Sequence, residues 1–382
     1  ALLAEVFRRR LGKDITGIIN YPGTVRYGLR MWMPTATRPN DCVNFSDAWE
    51  IGDVAVAAWT AGRFNDPTAQ YVATKVGQMT SPWSAIWLDP AAQAAEPGED
   101  LEDVRFSNDW VVSRSGWGAM DGAVAMRSGG PANHEHADRN SVVFKAHGER
   151  IYHDPFHAAY PRTDPMWILR LTASHTALLI DGKGHQYHDG REGTNASFAE
   201  AHVTAYRADA RAMVVTSDAT AAYRLVNKEV ALVTRTLVYL KPDVILIIDR
   251  VKLTGTPLAV QARFQVDNSD GKGSVAAEAG AFLIRRPLAV ARTLARGSGQ
   301  ITVRTGALGV PASNGTFPYA EVESAPATDH TILTLCAVRG ADQPEPTATV
   351  AGEGTHWRVT AGGGPAAIDI DAAGEIPTVT IR

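Results

Sequence analysis

Two imidazoles and a carboxylate alternate along Asn133-His134-Glu135-His136-Ala137-Asp138, just ahead of the apolar run Ser141-Val142-Val143-Phe144-Lys145-Ala146. Side chains of an extended backbone alternate between faces, so the spacing predicts His134, His136 and Asp138 on one face, with Glu135 and Ala137 on the other. Two further clusters follow: Tyr152-His153-Asp154-Pro155, and Arg170-Leu171-Thr172-Ala173-Ser174-His175-Thr176 leading into an apolar run that ends in Asp181-Gly182. Zinc accepts imidazole nitrogen and carboxylate oxygen, commonly from three protein ligands. His136, Asp154 and His175 suit it, each on what reads as a strand or strand end, so that adjacency across a sheet would assemble them. A plainer reading also stands, in which His175 caps a strand turn through Ser174 and Thr176 and Asp154 precedes a proline turn.

The elements that must position these groups fall into two regions. Residues 1 to about 90 carry helical spacing, as in Val54-Ala55-Val56-Ala57-Ala58-Trp59 and Ala69 to Val76, punctuated by Pro34, Pro39, Pro67 and Pro82. A stretch rich in Ala, Pro, Gly and acid, Asp89 to Glu102, reads as a linker. Beyond it, short apolar or alternating runs bounded by Gly, Asp, Asn and Pro signal antiparallel strands. Examples are Ala212 to Thr216, Leu232 to Leu240, Val244 to Asp249, Leu258 to Asp267, Ala281 to Arg285, Thr331 to Val338 and Trp357 to Thr360. Lys241-Pro242-Asp243 reads as a tight turn joining two of them in a hairpin. The expected fold is therefore multidomain α+β: helices over 1–90, then a large antiparallel β-sandwich over 91–382.

The order H-x-H-x-D, then D-P after a strand, then R-x-T-x-S-H-T before an apolar strand ending in D-G resembles the C-terminal domain of the heparinase II/III-like polysaccharide lyases. The resemblance implies an α/α toroid, here only its last part, followed by a β-sandwich, with the active site in the cleft between. It also implies that His136, Asp154 and His175 are zinc ligands in a mainly site-organising role, and that His134 faces the sugar as an acid–base group; a buried or hydrogen-bonded structural imidazole is the alternative for His134. Asn20-Tyr21-Pro22-Gly23-Thr24-Val25-Arg26-Tyr27-Gly28 resembles the tyrosine-bearing helix, favouring Tyr27 and then Tyr21 as the catalytic hydroxyl; packing is the alternative for either. The reaction implied is β-elimination: the C5 proton of a uronic acid is removed and the 4-O-linked sugar expelled. Neutralising the uronate carboxylate and placing an acid and a base are what such a step demands. Arg170, Arg139, Arg162 and Asn133 are the expected substrate-binding residues, with Lys183, His185 and His188 crowding the same region. Trp110, Trp117 and Trp167 could stack on sugar rings, or could be core.

A chain of 382 residues, 45% hydrophobic and 20% charged, can bury a large core and form two domains. No apolar run approaches the roughly 18 residues of a membrane span, and a formal net charge of -4 offers no global attraction for nucleic acid. The expected partner is an anionic polysaccharide or oligosaccharide, alginate, heparin-like or related. Cys42 and Cys336 cannot build a four-cysteine metal site or a disulfide framework. The start, Ala1 to Arg10, reads like the middle of a helix, from which a missing N-terminal helical portion is expected. Homo-oligomerisation stays open, as do periplasmic, secreted and cytoplasmic locations. P-loop, nucleophile-elbow and dinucleotide motifs are lacking. Two other functions fit the same residues: a non-catalytic, zinc-stabilised carbohydrate-binding β-sandwich, and a glycan hydrolase using metal-bound water.

Overall fold

The structure is a computed structural model and describes residues 1–48, 50–130, 134, 136–156, 158–185, 198–361 and 367–382. The N-terminal region holds α1 (Leu2–Leu11), α2 (Tyr21–Met31), α3 (Ala55–Phe64), α4 (Pro67–Tyr71) and α5 (Pro82–Trp87). Their boundaries follow local chemistry. The Asn20, Asp66 and Ser81 side chains accept hydrogen bonds from the first backbone N–H groups of α2, α4 and α5, each followed by proline in the first turn. Gly12, at φ 64°, ends α1 in the left-handed conformation that glycine adopts at least cost. Val25, Leu29, Ala57, Ala58, Ala61, Ala69 and Val76 form an apolar cluster that Leu101 and Trp117 complete. No helix among the described residues is long and apolar enough to cross a membrane.

Beyond residue 103 the regular structure of the described residues is mainly antiparallel sheet. A five-stranded sheet runs in chain order through Val104–Arg105, Trp110–Arg114, Ala123–Arg127, Ser141–Ala146 and Glu149–Tyr152. A central sheet of eight strands places Asp329–Gly340, Val244–Leu253 and Val230–Leu240 side by side at its middle. Two four-stranded sheets complete the set, one including Leu258–Gln265 and Leu178–Ile180, the other formed by Ala348–Glu353, His356–Ala361, Ala367–Asp371 and Thr378–Ile381. The hairpin expected around Lys241-Pro242-Asp243 is present, with Val244 opposite Leu240.

Alternation along the central strands explains the layering. Ile245, Ile247 and Val251 enter one core with Val124, Phe144, Val260 and Phe264, whereas Val244, Leu246 and Ile248 enter another with Trp357, Val359 and Ile368. The central sheet is thus covered on both faces, which is why its strands read as continuous apolar runs. On the outer face of the five-stranded sheet, Val112, Ala123, Ala125 and Val143 pack against Met31, Met33, Val43 and Phe45. Buried cations fasten the same seam: Lys145 Nζ donates to the carbonyls of Pro34 (2.6 Å), Gly118 (2.9 Å) and Ala119 (3.0 Å), and Arg114 donates to those of Trp32 and Arg30.

The extended run expected through His134, His136 and Asp138 is not formed. His134 has φ 59° and Asn140 φ 61°, so the segment turns before the strand that starts at Ser141. The three side chains nevertheless meet one loop, His134 and His136 at Asp47 and Asp138 at Ser46 Oγ (3.2 Å), with His134 52% exposed and His136 and Asp138 buried.

Candidate functional site

Three segments distant in sequence meet beside the five-stranded sheet. His136 lies in the turn segment entering Ser141–Ala146, Asp154 just past Glu149–Tyr152, and His175 just past the short helical turn Thr172–Ser174. Each offers a ligand atom within 4.8 Å of the others, all three side chains are buried, and among the described residues they form the sole group of this kind. The two imidazole rings are 5.4 Å apart, centroid to centroid.

Hydrogen bonds orient the rings. Asp47 Oδ1 lies 2.9 Å from His136 Nε2, and Asp154 Oδ2 lies 3.0 Å from His175 Nδ1. With those nitrogens donating, each neutral ring turns its other nitrogen into the cluster as an acceptor. His136 Nδ1, His175 Nε2 and Asp154 Oδ1 are all buried without a hydrogen-bond partner among the described residues. Buried acceptors lacking a donor are costly; a divalent cation would satisfy all three, so the donor set fits zinc. Burial lowers the His136 pKa, against the pull of Asp47. Burial also disfavours the charged form of His175, but the Asp154 carboxylate outweighs it and raises that pKa.

Asp47 was not legible in the sequence, although it joins more of the site than any other residue. Its Oδ2 lies 3.1 Å from His134 Nδ1 and 3.1 Å from Arg170 Nη2, and it accepts the Tyr160 hydroxyl. Burial would raise its pKa, but the hydrogen bonds from His136 and Tyr160 and the charge of Arg170 hold it well below the usual carboxylate range. Ser46, at φ 56°, turns the chain immediately before it. Three residues upstream, buried Asn44 donates to the Asp154 carbonyl and accepts from Arg150 Nη1 at 2.6 Å. The loop after α2 therefore braces two of the three candidate ligand positions.

Tyr160 is the second residue missed. Its hydroxyl contacts His134 Nδ1 as well as Asp47, and the Arg170 guanidinium lies 4.2 Å from its ring centroid. Burial and the bond to Asp47 raise the pKa of its phenol. Tyr21 instead packs in the helical core against Trp59, at 4.7 Å, and takes a hydrogen bond from the Ala1 amino group at 3.3 Å. Tyr27 packs its ring 4.9 Å from that of Phe106. The structure thus brings Tyr160, and neither Tyr21 nor Tyr27, to His134.

Of the expected binding residues, Arg170 and Arg139 are buried. Arg170 is committed to Asp47 and to the Ala159 carbonyl, and Arg139 to Asp138 and the Ala199 carbonyl. Arg162 is exposed and lies 5.3 Å from the Trp167 ring centroid, a ring that Arg170 also approaches at 5.7 Å. His185 is buried, its pKa pushed down to about 3 by burial, and accepts from the Arg139 N–H at 3.1 Å. Trp117 is buried beneath Arg114 and Trp110 packs on Phe45, whereas Trp167 is partly exposed. Asn133 and His188 lie outside the described residues.

Comparison with solved structures finds the same fold in a heparan sulfate lyase HepC mutant from Pedobacter heparinus, at 12% identity and a TM-score of 0.68, covering 94% of this chain and 52% of that one. A heparinase III gene product matches at 13% identity and a TM-score of 0.65, covering 92% and 51%. Another heparinase III matches at 11% identity and a TM-score of 0.66, covering 95% and 54%. The chain therefore spans about half the length of these solved relatives. A comparison with curated proteins finds no match. The sequence pattern described as heparinase II/III-like, C-terminal, matches residues 107–367, well over half of the chain and all three segments of the site. By that span, the chain belongs to the heparinase II/III-like family.

Proposed function

We propose that this protein is a polysaccharide or oligosaccharide lyase that cleaves a uronate-containing glycan, alginate, heparin-like or related, by β-elimination. The observation that carries the reading is the meeting of the His134 imidazole and the Tyr160 hydroxyl at Asp47, which also touches the buried His136. An acid and a base side by side at an exposed position are what the elimination needs. With its Nδ1–H donated to Asp47, His134 keeps the Nε2 lone pair to take the C5 proton. The C5–H electrons form the C4–C5 double bond as the C4–O bond breaks, and Tyr160, whose raised pKa keeps it a phenol at neutral pH, protonates the leaving oxygen. Tyr160 thereby takes the role expected of Tyr27 or Tyr21. Arg162 on Trp167 is the exposed guanidinium suited to the uronate carboxylate. Arg170 and Arg139 contribute from beneath by holding Asp47 and Asp138, and Asn133 is kept as a binding residue because its amide suits the uronate carboxylate.

His136, Asp154 and His175 would hold zinc, whose charge, when bound, organises the imidazoles and keeps them neutral. In this reading residues 1–90 are the last helices of an α/α toroid and 91–382 the β-sandwich domain, with the acidic, proline-bearing linker between them. The test is incubation of purified, zinc-analysed protein with a panel of uronate glycans. A rise in ultraviolet absorbance from the 4,5-unsaturated product is expected. Saturated products would point to the hydrolase, and binding without turnover to the non-catalytic module; either result overturns the reading.

A further inference from the structure

The buried ion pair between Arg235 and Asp249 has no place in the chemistry just described, yet it reaches two of the histidine-bearing segments. Arg235 and Asp249 face each other on adjacent central strands, 0% and 1% exposed, joined by two bonds of 2.7 and 3.0 Å. This fork-to-fork geometry is the strong form of the arginine–carboxylate pair and fixes the guanidinium plane. The Arg235 Nη1 group, which the pair leaves to other acceptors, donates to the Asn140 carbonyl at 2.9 Å and to the Thr176 carbonyl at 2.6 Å. Asn140 closes the turn segment that carries His136, and Thr176 follows His175 directly. One rigid nitrogen therefore spans the two segments whose imidazoles stand 5.4 Å apart.

A second frame ties in the third position. The Gln265 N–H donates to Thr176 Oγ1 at 3.2 Å, and the Gln265 carbonyl accepts from the His153 N–H at 3.0 Å, next to Asp154. Thr176 is thus held through its carbonyl by Arg235 and through its hydroxyl by the strand Leu258–Gln265. A fully buried charge pair is weak support for stability, since apolar residues of similar volume often serve as well. Its value lies in registering what it bonds.

We propose that Arg235, held by Asp249, is a positioning residue that sets the separation of His136 and His175 and thereby the affinity of the site for zinc. The inference rests on the metal reading of that cluster and needs no assumption about the glycan. Outer partners of metal ligands typically contribute about 10–100-fold to affinity.

The test is a zinc competition titration against a chromophoric chelator, with chemical unfolding of each metal-free protein alongside. Arg235→Met alone leaves Asp249 buried without its partner; the double variant Arg235→Met with Asp249→Leu removes both charges and is the one chosen to fold. Arg250→Met is the control, because Arg250 is also buried on the central sheet but bonds Thr331 at 2.6 Å and Asp329 at 3.3 Å, outside the histidine-bearing segments. Expected is a loss of about 10-fold or more in zinc affinity in the double variant, with Arg250→Met at the wild-type value. Affinity within about twofold of wild type in the double variant, or equal losses in it and in Arg250→Met, overturns the inference while leaving the metal reading intact. Wild-type protein that takes up no zinc overturns both.

Discussion

Asp47 shows how much of a site can depend on a residue with no motif around it. It accepts from His136 on one oxygen and meets His134, Tyr160 and Arg170 at the other, partners between 87 and 123 positions away along the chain. Nothing local in Phe45-Ser46-Asp47-Ala48 signals that role, whereas His136, Asp154 and His175 could be picked out because their residue types and their places at strand ends are informative by themselves. The zigzag expected for His134 to Asp138 failed for a related reason. Spacing of two matches a strand, but the left-handed residues His134 and Asn140 make turns that only the packed structure reveals. Two consequences follow from the geometry. His134→Ala and Tyr160→Phe should each lower turnover by about 10²–10⁴-fold, the usual range for a positioned acid or base, while zinc content measured by metal analysis stays at the wild-type level. Asp47→Ala should lower turnover and also weaken zinc binding by about 10-fold or more, because His136 loses the acceptor that fixes its ring; unchanged zinc affinity in this variant would count against Asp47 as the orienting group.

Among the elements, strands were legible and their neighbours were not. Ser141–Ala146 and Ala281–Arg285 appear with the bounds that their composition suggested, since short apolar runs with aromatic and β-branched residues between turn residues favour strands. The polar contacts that join the helical region to the sheets were hidden because they are made by Lys145, Arg114 and Arg150, residue types that ordinarily read as surface. Lys145 is 1% exposed and ends on three carbonyl oxygens. Lys145→Met should leave those acceptors buried without a donor and lower the unfolding free energy by about 3 kcal/mol, read from urea denaturation. Glu5 on α1 gives a pH signature for the helical region. The hydrogen bonds from Arg8 and Arg9 pull its pKa from 4.5 down to about 2. A carboxylate whose pKa is depressed on folding stabilises the fold at pH values above 4.5 and loses that contribution as the pH falls toward 2. Helix content should therefore become less stable to heat across that window, and Glu5→Gln should flatten the dependence.

The whole molecule separates the layer that holds the site from a layer that only supports it. Arg235 and Asp249 share their strand face with Leu237, Tyr239, Ile245 and Ile247, the face turned toward the five-stranded sheet and the candidate ligands. The opposite face, with Val244, Leu246, Ile248, Leu333 and Leu335, is closed by the C-terminal hairpins through Trp357, Val359, Ile368 and Ile370. An eight-stranded sheet with both faces apolar cannot leave one of them in water, so the C-terminal sheet covers that face, and among the described residues it brings none to the site. Trp357→Ala should accordingly cost about 3–5 kcal/mol, the usual range for emptying a buried aromatic position, seen as a lower urea midpoint. Below that midpoint the variant should keep the zinc affinity and turnover of the wild type, because the lost side chain and the histidines lie on opposite sides of the same sheet. A parallel loss of zinc affinity in the folded variant would mean that the central sheet transmits strain between its faces, and that the two layers act as one.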